Sequence, residues 1–162
     1  MKKVKWLTPL VGLTTLVVLS GCNQSPAPQE REAPSTPVTA PAMLRQPAPN
    51  GAEVYFIAPE NGATLSNPIV VQFGLRNMGI APAGANQHNT GHHHLLVDAQ
   101  LAQMGFPVPA DDQHLHFGGG QTQTNVTLAP GEHTLQLVLG DYLHIPHDPP
   151  VTSARITITV TE

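Results

Sequence analysis

Apolar residues alternate with other residues at a period of two from about residue 51 to the end of the chain, and turn residues interrupt the pattern at short intervals. Such alternation places every second side chain on one face of a strand, whereas a helix needs apolar residues three and four positions apart. Helical spacing is nowhere convincing in this region. The alternating positions are Val54, Phe56 and Ala58; Ile69, Val71, Phe73 and Leu75; Leu135, Leu137 and Leu139; and Ile156, Ile158 and Val160. The pattern predicts an all-β domain over residues 51–162.

The spacing of the turns predicts how these strands are arranged. Short strands separated by regular turns are typical of antiparallel sandwiches, and a little over a hundred residues is a common domain size. We therefore expect a small antiparallel immunoglobulin-like β-sandwich of about seven strands. The turn at residues 129–132 further predicts a hairpin that runs from Thr122 through Gly131 to Gly140.

The first 21 residues have the composition of an export signal. Three lysines form a positive n-region, and the apolar stretch at residues 7–19 is too short to span a bilayer. Residues 19–22, Leu-Ser-Gly-Cys, resemble the cleavage box of bacterial lipoproteins, in which the cysteine is acylated and becomes the first residue. The resemblance implies lipidation of Cys22. The alternative is an ordinary secretory signal with a chance cysteine.

Acylation of Cys22 would place the protein in the cell envelope. Two acyl chains suffice for stable attachment, since each buried methylene contributes about 0.8 kcal/mol. In the lipoproteins that this segment resembles, an aspartate after the cysteine marks retention at the inner membrane. Asn23 stands there in this chain, so the resemblance implies an outer-membrane anchor that faces the periplasm. The membrane is thus the first expected partner.

Residues 22–50 predict a disordered tether between the anchor and the domain. They contain seven prolines among alanine, serine, threonine and glutamine, and almost nothing that would build a core. In a polyproline II conformation, at about 3.1 Å per residue, the segment would extend over about 80 Å. That length would lift the domain clear of the lipid surface.

The charge of the mature chain argues against nucleic acid as a partner. Removal of the signal removes all three lysines, which leaves four arginines against eleven carboxylates. Such a balance repels phosphate and attracts cations.

The nine histidines of the chain are its most distinctive feature, and most of them lie in three short clusters. Residues two apart on a strand share a face and lie about 6.5 to 7 Å apart, so two imidazoles can converge on one ion. The third cluster lies in a loop with prolines at 146, 149 and 150. The candidate ligands are His92 and His94, His114 and His116, and His144 and His147. His93 is expected to point with Leu95 and Val97, and to be packed or hydrogen-bonded rather than a ligand.

The chemistry of these residues favours a transition metal. Lipidation of the single cysteine leaves the domain without a thiolate ligand, and nitrogen-rich sites suit copper, zinc or nickel better than calcium or magnesium. We favour copper or zinc. The carboxylates of Asp98, Asp112, Asp141 and Asp148 are further ligands or acceptors that would orient the rings. The alternative for each pair is a polar strand face whose rings bond to the backbone.

The chain from about Val54 to Val160 resembles the bacterial family of domain of unknown function 4399. Four motifs carry the resemblance: Gly-His-His-His-Leu-Leu-Val-Asp at 91–98, Gln-His-Leu-His-Phe-Gly-Gly-Gly at 113–120, Pro-Gly-Glu-His-Thr-Leu-Gln-Leu-Val-Leu-Gly-Asp at 130–141, and His-Ile-Pro-His-Asp-Pro-Pro-Val at 144–151. Proteins of this family look like small exported or lipid-anchored modules. The resemblance implies no activity, catalytic residue or cofactor.

Three functions remain open from the sequence. The first is an envelope module that binds copper or zinc for sequestration, buffering or delivery. The second is a non-catalytic adhesive or scaffolding module that binds an envelope protein or a cell-wall component. The third is a metal-dependent hydrolase, in which three histidines and an open position activate water. The sequence has no motif for a dedicated nucleophile, so it leaves enzymatic activity uncertain and favours binding.

Overall fold

A computed structural model of the protein describes residues 43–101 and 103–162. These residues form nine β-strands and no helix, which confirms the predicted all-β class. The signal peptide of residues 1–21, Cys22 and the linker up to residue 42 lie outside the described residues. The strands are β1 (Glu53–Ala58), β2 (Thr64–Ser66), β3 (Ile69–Arg76), β4 (Gly79–Ile80), β5 (Thr90–Val97), β6 (His114–His116), β7 (Gln123–Val126), β8 (Gly131–Gly140) and β9 (Ile156–Thr161).

The strands form two sheets. The smaller sheet has the order β1-β3-β7, and the larger has the order β2-β9-β8-β5-β4, with β6 paired to β5. Without the short strands β2, β4 and β6, six strands remain. The first, second and fourth of these in chain order (β1, β3 and β7) form the smaller sheet, and the third, fifth and sixth (β5, β8 and β9) belong to the larger sheet. This is the arrangement of strands A, B and E against C, F and G in an immunoglobulin sandwich.

The strand count and the pairing differ in part from the prediction. Nine strands are present instead of about seven, because β2, β4 and β6 contain only two or three residues each. Strands of that length are too short to show alternation in the sequence. Two of them also pair in parallel, β2 with β9 and β4 with β5, so the sandwich is not wholly antiparallel.

The predicted hairpin over residues 122–140 is wrong in its pairing. β7 pairs with β3 in the smaller sheet, whereas β8 pairs with β5 and β9 in the larger one. The turn at residues 129–132 therefore carries the chain from one sheet to the other. A hairpin within one sheet and a connection between two sheets have the same alternation and the same turn residues. The sequence pattern therefore does not distinguish them.

The alternating apolar residues meet in one core between the two sheets. Ile69, Val71 and Phe73 of β3 lie in the same buried cluster as Leu135 and the other inward residues of β8. Each buried side chain of this size contributes about 1.5 to 3 kcal/mol through removal of apolar surface from water. Because no thiol or disulfide is available in the described domain, this packing is the main source of its stability.

β5 is unusual because both of its faces are buried, from Gly91 to Val97. One face, with Leu95 and Val97, belongs to the main core. The other face is covered by loops, and there Leu96 packs with Val108 and Val138 in a second, smaller cluster. Alternate residues of β5 thus lie in two separate buried clusters.

Residues 43–50, the last part of the predicted linker, are bonded to the domain. The main-chain amide of Asp148 donates to the carbonyl of Gln46 at 2.8 Å, and the amide of Ala48 donates to the carbonyl of Asp148 at 2.9 Å. Residues upstream of 51, the expected start of the domain, thus contact its loop at Asp148. None of the described residues forms a helix that would cross a membrane.

Substitution of Leu137 tests the position of the core. Leu137 is fully buried, so Leu137→Ala should lower the free energy of unfolding by about 2 to 5 kcal/mol, because it removes apolar contacts and leaves a cavity. Val70→Ala is the control, since Val70 is 50% exposed on the outer face of β3. Urea denaturation measures both variants, and equal losses would contradict the assigned core.

Candidate metal centre

The histidines of β5 and β6 are brought together by strand register. His92, His94 and Leu96 share the loop-covered face of β5, and His94 lies directly opposite His116 of β6. Residues directly opposite on antiparallel strands have Cβ atoms about 4.5 to 5.5 Å apart. Pairing of β5 with β6 therefore sets His116 beside His94 without any contribution from a loop.

A fourth histidine reaches the same place from the loop that follows β8. The buried carboxylate of Asp141 organises this loop by accepting bonds from the amides of Leu143 at 2.8 Å and Ile145 at 3.0 Å. The amide of His144 donates to the carbonyl of Asp141 at 2.8 Å. His144 itself has a φ of 68°, a left-handed conformation in which histidine is enriched among non-glycine residues. The result is a tight turn that presents His144.

The four rings of His92, His94, His116 and His144 form one compact group, called here the histidine cluster. All six distances between ring centroids lie between 4.7 and 5.9 Å. Ligand nitrogens of His92, His94 and His116 all lie within 4.8 Å of one another. These three side chains form a group that could hold a metal ion.

The distance between two of the ring nitrogens matches metal coordination. Nε2 of His92 and Nε2 of His94 lie 3.1 Å apart. Two imidazoles on one tetrahedral ion, at a metal–nitrogen distance of about 2.0 to 2.1 Å, place their nitrogens about 3.3 Å apart. The pair therefore needs little movement to share an ion. In the free protein one ring donates its N–H to the other at this distance.

Two glycines make room for the rings. A Cβ atom at Gly140 would lie 2.9 Å from Nε2 of His94, and one at Gly118 would lie 2.6 Å from Nε2 of His116. Neither glycine has the positive φ that favours glycine for its backbone alone. Their role is to let the imidazoles lie close to the main chain.

Burial favours the neutral form of three rings of the cluster. Burial, together with repulsion from the rings of His144 and His116, lowers the pKa of His92 to about 4. Burial and then the neighbouring His92 lower the pKa of His94 to about 2. The pKa of His116 is also lowered, by burial and then by His144. Neutral imidazoles keep a lone pair, which a metal ion requires.

One side of the histidine cluster is exposed to solvent. His92 and His94 are fully buried, His144 is half-buried and His116 is exposed. An ion held by these rings would therefore be reached by solvent from the side of His116. Open positions of this kind allow ligand exchange, whereas structural sites are closed.

Two of the six predicted ligands lie outside the cluster. His114 bonds through Nδ1 to the carboxylate of Asp111 at 2.8 Å. His147 is buried beneath its loop, with Nδ1 at 3.4 Å from the carbonyl of Leu139 and Nε2 at 3.2 Å from the carbonyl of Thr90. Both ring nitrogens of His147 thus face main-chain oxygens. The structure brings together His92, His94, His116 and His144 from the predicted list.

His93 and His133 have packing or bonding roles. His93 is packed and hydrogen-bonded as predicted, with its ring centroid 5.0 Å from that of the core residue Phe73 and Nδ1 bonded to the carbonyl of Gln121 at 3.3 Å. His133 bonds through Nδ1 to the carboxylate of Asp98 at 2.7 Å and through Nε2 to the carbonyl of Ala129. This contact removes Asp98 from the candidate ligands of the ion.

Three of the four carboxylates expected around the ion serve other groups. Asp141 fixes the loop backbone, as described above, and Asp148 pairs with Arg45 at 3.2 Å. The group that could hold a metal contains imidazole only. The role of Asp141 in shaping the loop was not apparent from the sequence, where Gly-Asp-Tyr is only a turn signal before the third cluster.

Comparison with known proteins identifies the module but no activity. A family model described as "Domain of unknown function (DUF4399)" matches residues 71–161. The matched region contains all four residues of the histidine cluster and excludes β1 and β2. No curated protein and no solved structure matches the chain.

Substitution of Gly118 tests whether the space for His116 matters. Gly118→Ala should displace the exposed ring of His116 and weaken metal binding by about tenfold or more, the size expected when a ligand's support is lost. The fold should be nearly unchanged, because the ring can turn towards solvent. Gly119→Ala is the control, since the atoms nearest to its Cβ would belong to the side chain of Gln121 and not to His116. Calorimetric titration with the metal ion measures its affinity for each variant. Equal affinities in Gly118→Ala and Gly119→Ala would contradict the assigned geometry.

Acid should destabilise the metal-free protein. Histidines with lowered pKa bind protons more weakly in the folded than in the unfolded state, so stability falls as pH drops from about 6.5 towards 4, by up to about 1.4 kcal/mol per pH unit for each residue. His92, His93 and His94 act in this direction. His133 opposes them, because its pKa is raised by Asp98. Urea denaturation at several pH values measures the slope, which His94→Gln should reduce; a flat profile would contradict the expectation.

Proposed function

This chain belongs to the DUF4399 family, whose description names no activity, and we propose from its histidine cluster that it is an envelope lipoprotein that binds one copper or zinc ion. The ion is held by His92, His94 and His116, with His144 as the fourth ligand. The protein sequesters, buffers or delivers that ion.

The observation that carries this proposal is the convergence of four rings from three separate parts of the chain. His92 and His94 come from β5, His116 from β6 and His144 from the loop after β8. All six centroid distances are below 6 Å. Burial of these imidazoles next to one another disfavours their protonation, and imidazoles pack little better than apolar residues would. Binding of one ion by all four rings would explain why they lie together.

The donor set supports copper or zinc. It consists of neutral nitrogen atoms, which bind Cu²⁺ and Zn²⁺ more strongly than Mn²⁺ or Fe²⁺ and far more strongly than the hard cations. The exposure of His116 favours exchange of the ion over permanent retention. Sequestration, buffering and delivery all require such exchange.

The proposed location follows from the N-terminal sequence. Acylation at Cys22 would attach the protein to the outer membrane, and the proline-rich tether would hold the domain in the periplasm. An excess of carboxylates over arginines in the mature chain would favour approach of cations.

Metal analysis of the full chain tests the proposal. We expect about one copper or zinc ion per chain after purification or after titration of the chelated protein with Cu²⁺ or Zn²⁺, as measured by elemental analysis. His94→Ala and His116→Ala should abolish stoichiometric retention, because each removes a member of the group of three histidines whose nitrogens lie within 4.8 Å of one another. His88→Ala is the control, since His88 is an exposed loop residue outside the cluster.

Equal retention by His94→Ala, His116→Ala and His88→Ala would overturn the proposed function. So would a parent chain that binds neither ion. Capture of an envelope protein that survives strong chelation and both cluster substitutions would then favour the adhesive or scaffolding hypothesis.

A further inference from the structure

Arg45 lies upstream of the residues matched by the family model, yet its side chain is bound to the loop that carries His144. Its Nε donates to the carbonyl of Pro146 at 2.9 Å, and one terminal nitrogen donates to the carbonyl of His147. The other terminal nitrogen pairs with Asp148 at 3.2 Å. The guanidinium therefore contacts three consecutive residues of the loop.

The bonds of Arg45 to the two carbonyls are partly buried, unlike those of an ordinary surface ion pair. The side chain of Arg45 is 18% exposed, whereas that of Asp148 is 67% exposed. Charge-assisted bonds from a planar guanidinium to carbonyl oxygens fix both position and orientation. The two bonds to the carbonyls of Pro146 and His147 are thus the stronger restraint, and the exposed pair with Asp148 adds little.

The main chain around Arg45 strengthens the same restraint. Pro47 forms a parallel bridge with Asp148, and the flanking carbonyl of Gln46 and amide of Ala48 both bond to Asp148. Residues 45–48 thus lie along the loop as an added edge segment. The loop is held from inside by Asp141 and from outside by this segment.

The loop needs such support because His144 has a backbone conformation that is rarely populated. A positive φ in a residue other than glycine persists only where surrounding contacts impose it. His144 is also the one cluster ligand that a loop supplies, since the other three come from strands. Its position is therefore the part of the centre most sensitive to loop restraint.

We propose that Arg45 is a positioning residue of the metal centre, which fixes the loop at residues 141–148 and so holds His144 against the ion. This inference rests on the proposed function. Displacement of residues 45–48 from the loop frees His144 and speeds release of the ion. The last part of the predicted tether thereby controls how firmly the ion is held.

The rate of metal loss from the full chain tests this role. The chain is loaded with Cu²⁺ or Zn²⁺, mixed with excess chelator, and the dissociation rate is followed by absorbance. Arg45→Ala should release the ion about tenfold faster or more, as is typical when an outer support of a ligand is removed. Arg45→Lys should restore part of the slow rate, because an ammonium group can replace one of the bonds.

Two matched controls separate positioning from general effects of charge. Arg76→Ala removes an arginine that pairs with Glu53 at the surface, and Asp148→Asn removes only the exposed pair with Arg45. Both should release the ion at nearly the parental rate. A rate for Arg76→Ala equal to that of Arg45→Ala would overturn the inference.

A double variant links the effect to His144. A His144→Ala chain keeps the group of His92, His94 and His116 but has lost the positioned ligand, so Arg45→Ala should cause no further acceleration in it. An additional acceleration of the same size as in the parent would overturn the inference, because Arg45 would then act by another route. A parent chain that binds no ion overturns the proposed function itself, whereas firm binding with an unchanged rate in Arg45→Ala overturns the positioning role alone.

Discussion

The site depends on the burial of both faces of β5. A strand whose sheet packs on a core usually exposes its other face to water. In β5, loops cover that outer face, where Leu96 packs with Val108 and Val138. Water is therefore excluded from the rings of His92 and His94, and their pKa values fall far below the ordinary value for histidine. Burial makes the rings neutral, and neutrality makes them available as ligands.

Much of the fold could be predicted from the sequence because alternation is a local property. The inward positions of β3, β8 and β9 were predicted from period-two spacing, and they do form the core. The orientation of His93 towards the core also follows from alternation within β5. Strand geometry likewise explains why His92 and His94 share a face, as expected for residues two apart.

The rest of the site depends on long-range pairing, which local patterns do not contain. His114 and His116 have the same spacing as His92 and His94, yet only His116 reaches the cluster, because register places it opposite His94. The pairing of β7 with β3 could not be distinguished from a hairpin for the same reason. The space at Gly140 and the loop contacts of Arg45 depend on residues that meet only after the sheets form.

The two-sided character of β5 has a consequence for how this family can vary. In this strand of eight residues, odd-numbered positions pack in the core of the sandwich and even-numbered positions carry the cluster histidines. A single insertion or deletion inside the strand would therefore exchange the two faces. The imidazoles of His92 and His94 would then enter the hydrophobic core, and leucines would take their place in the histidine cluster. Loops elsewhere can change in length, but the interval from Thr90 to Val97 must keep its residue count.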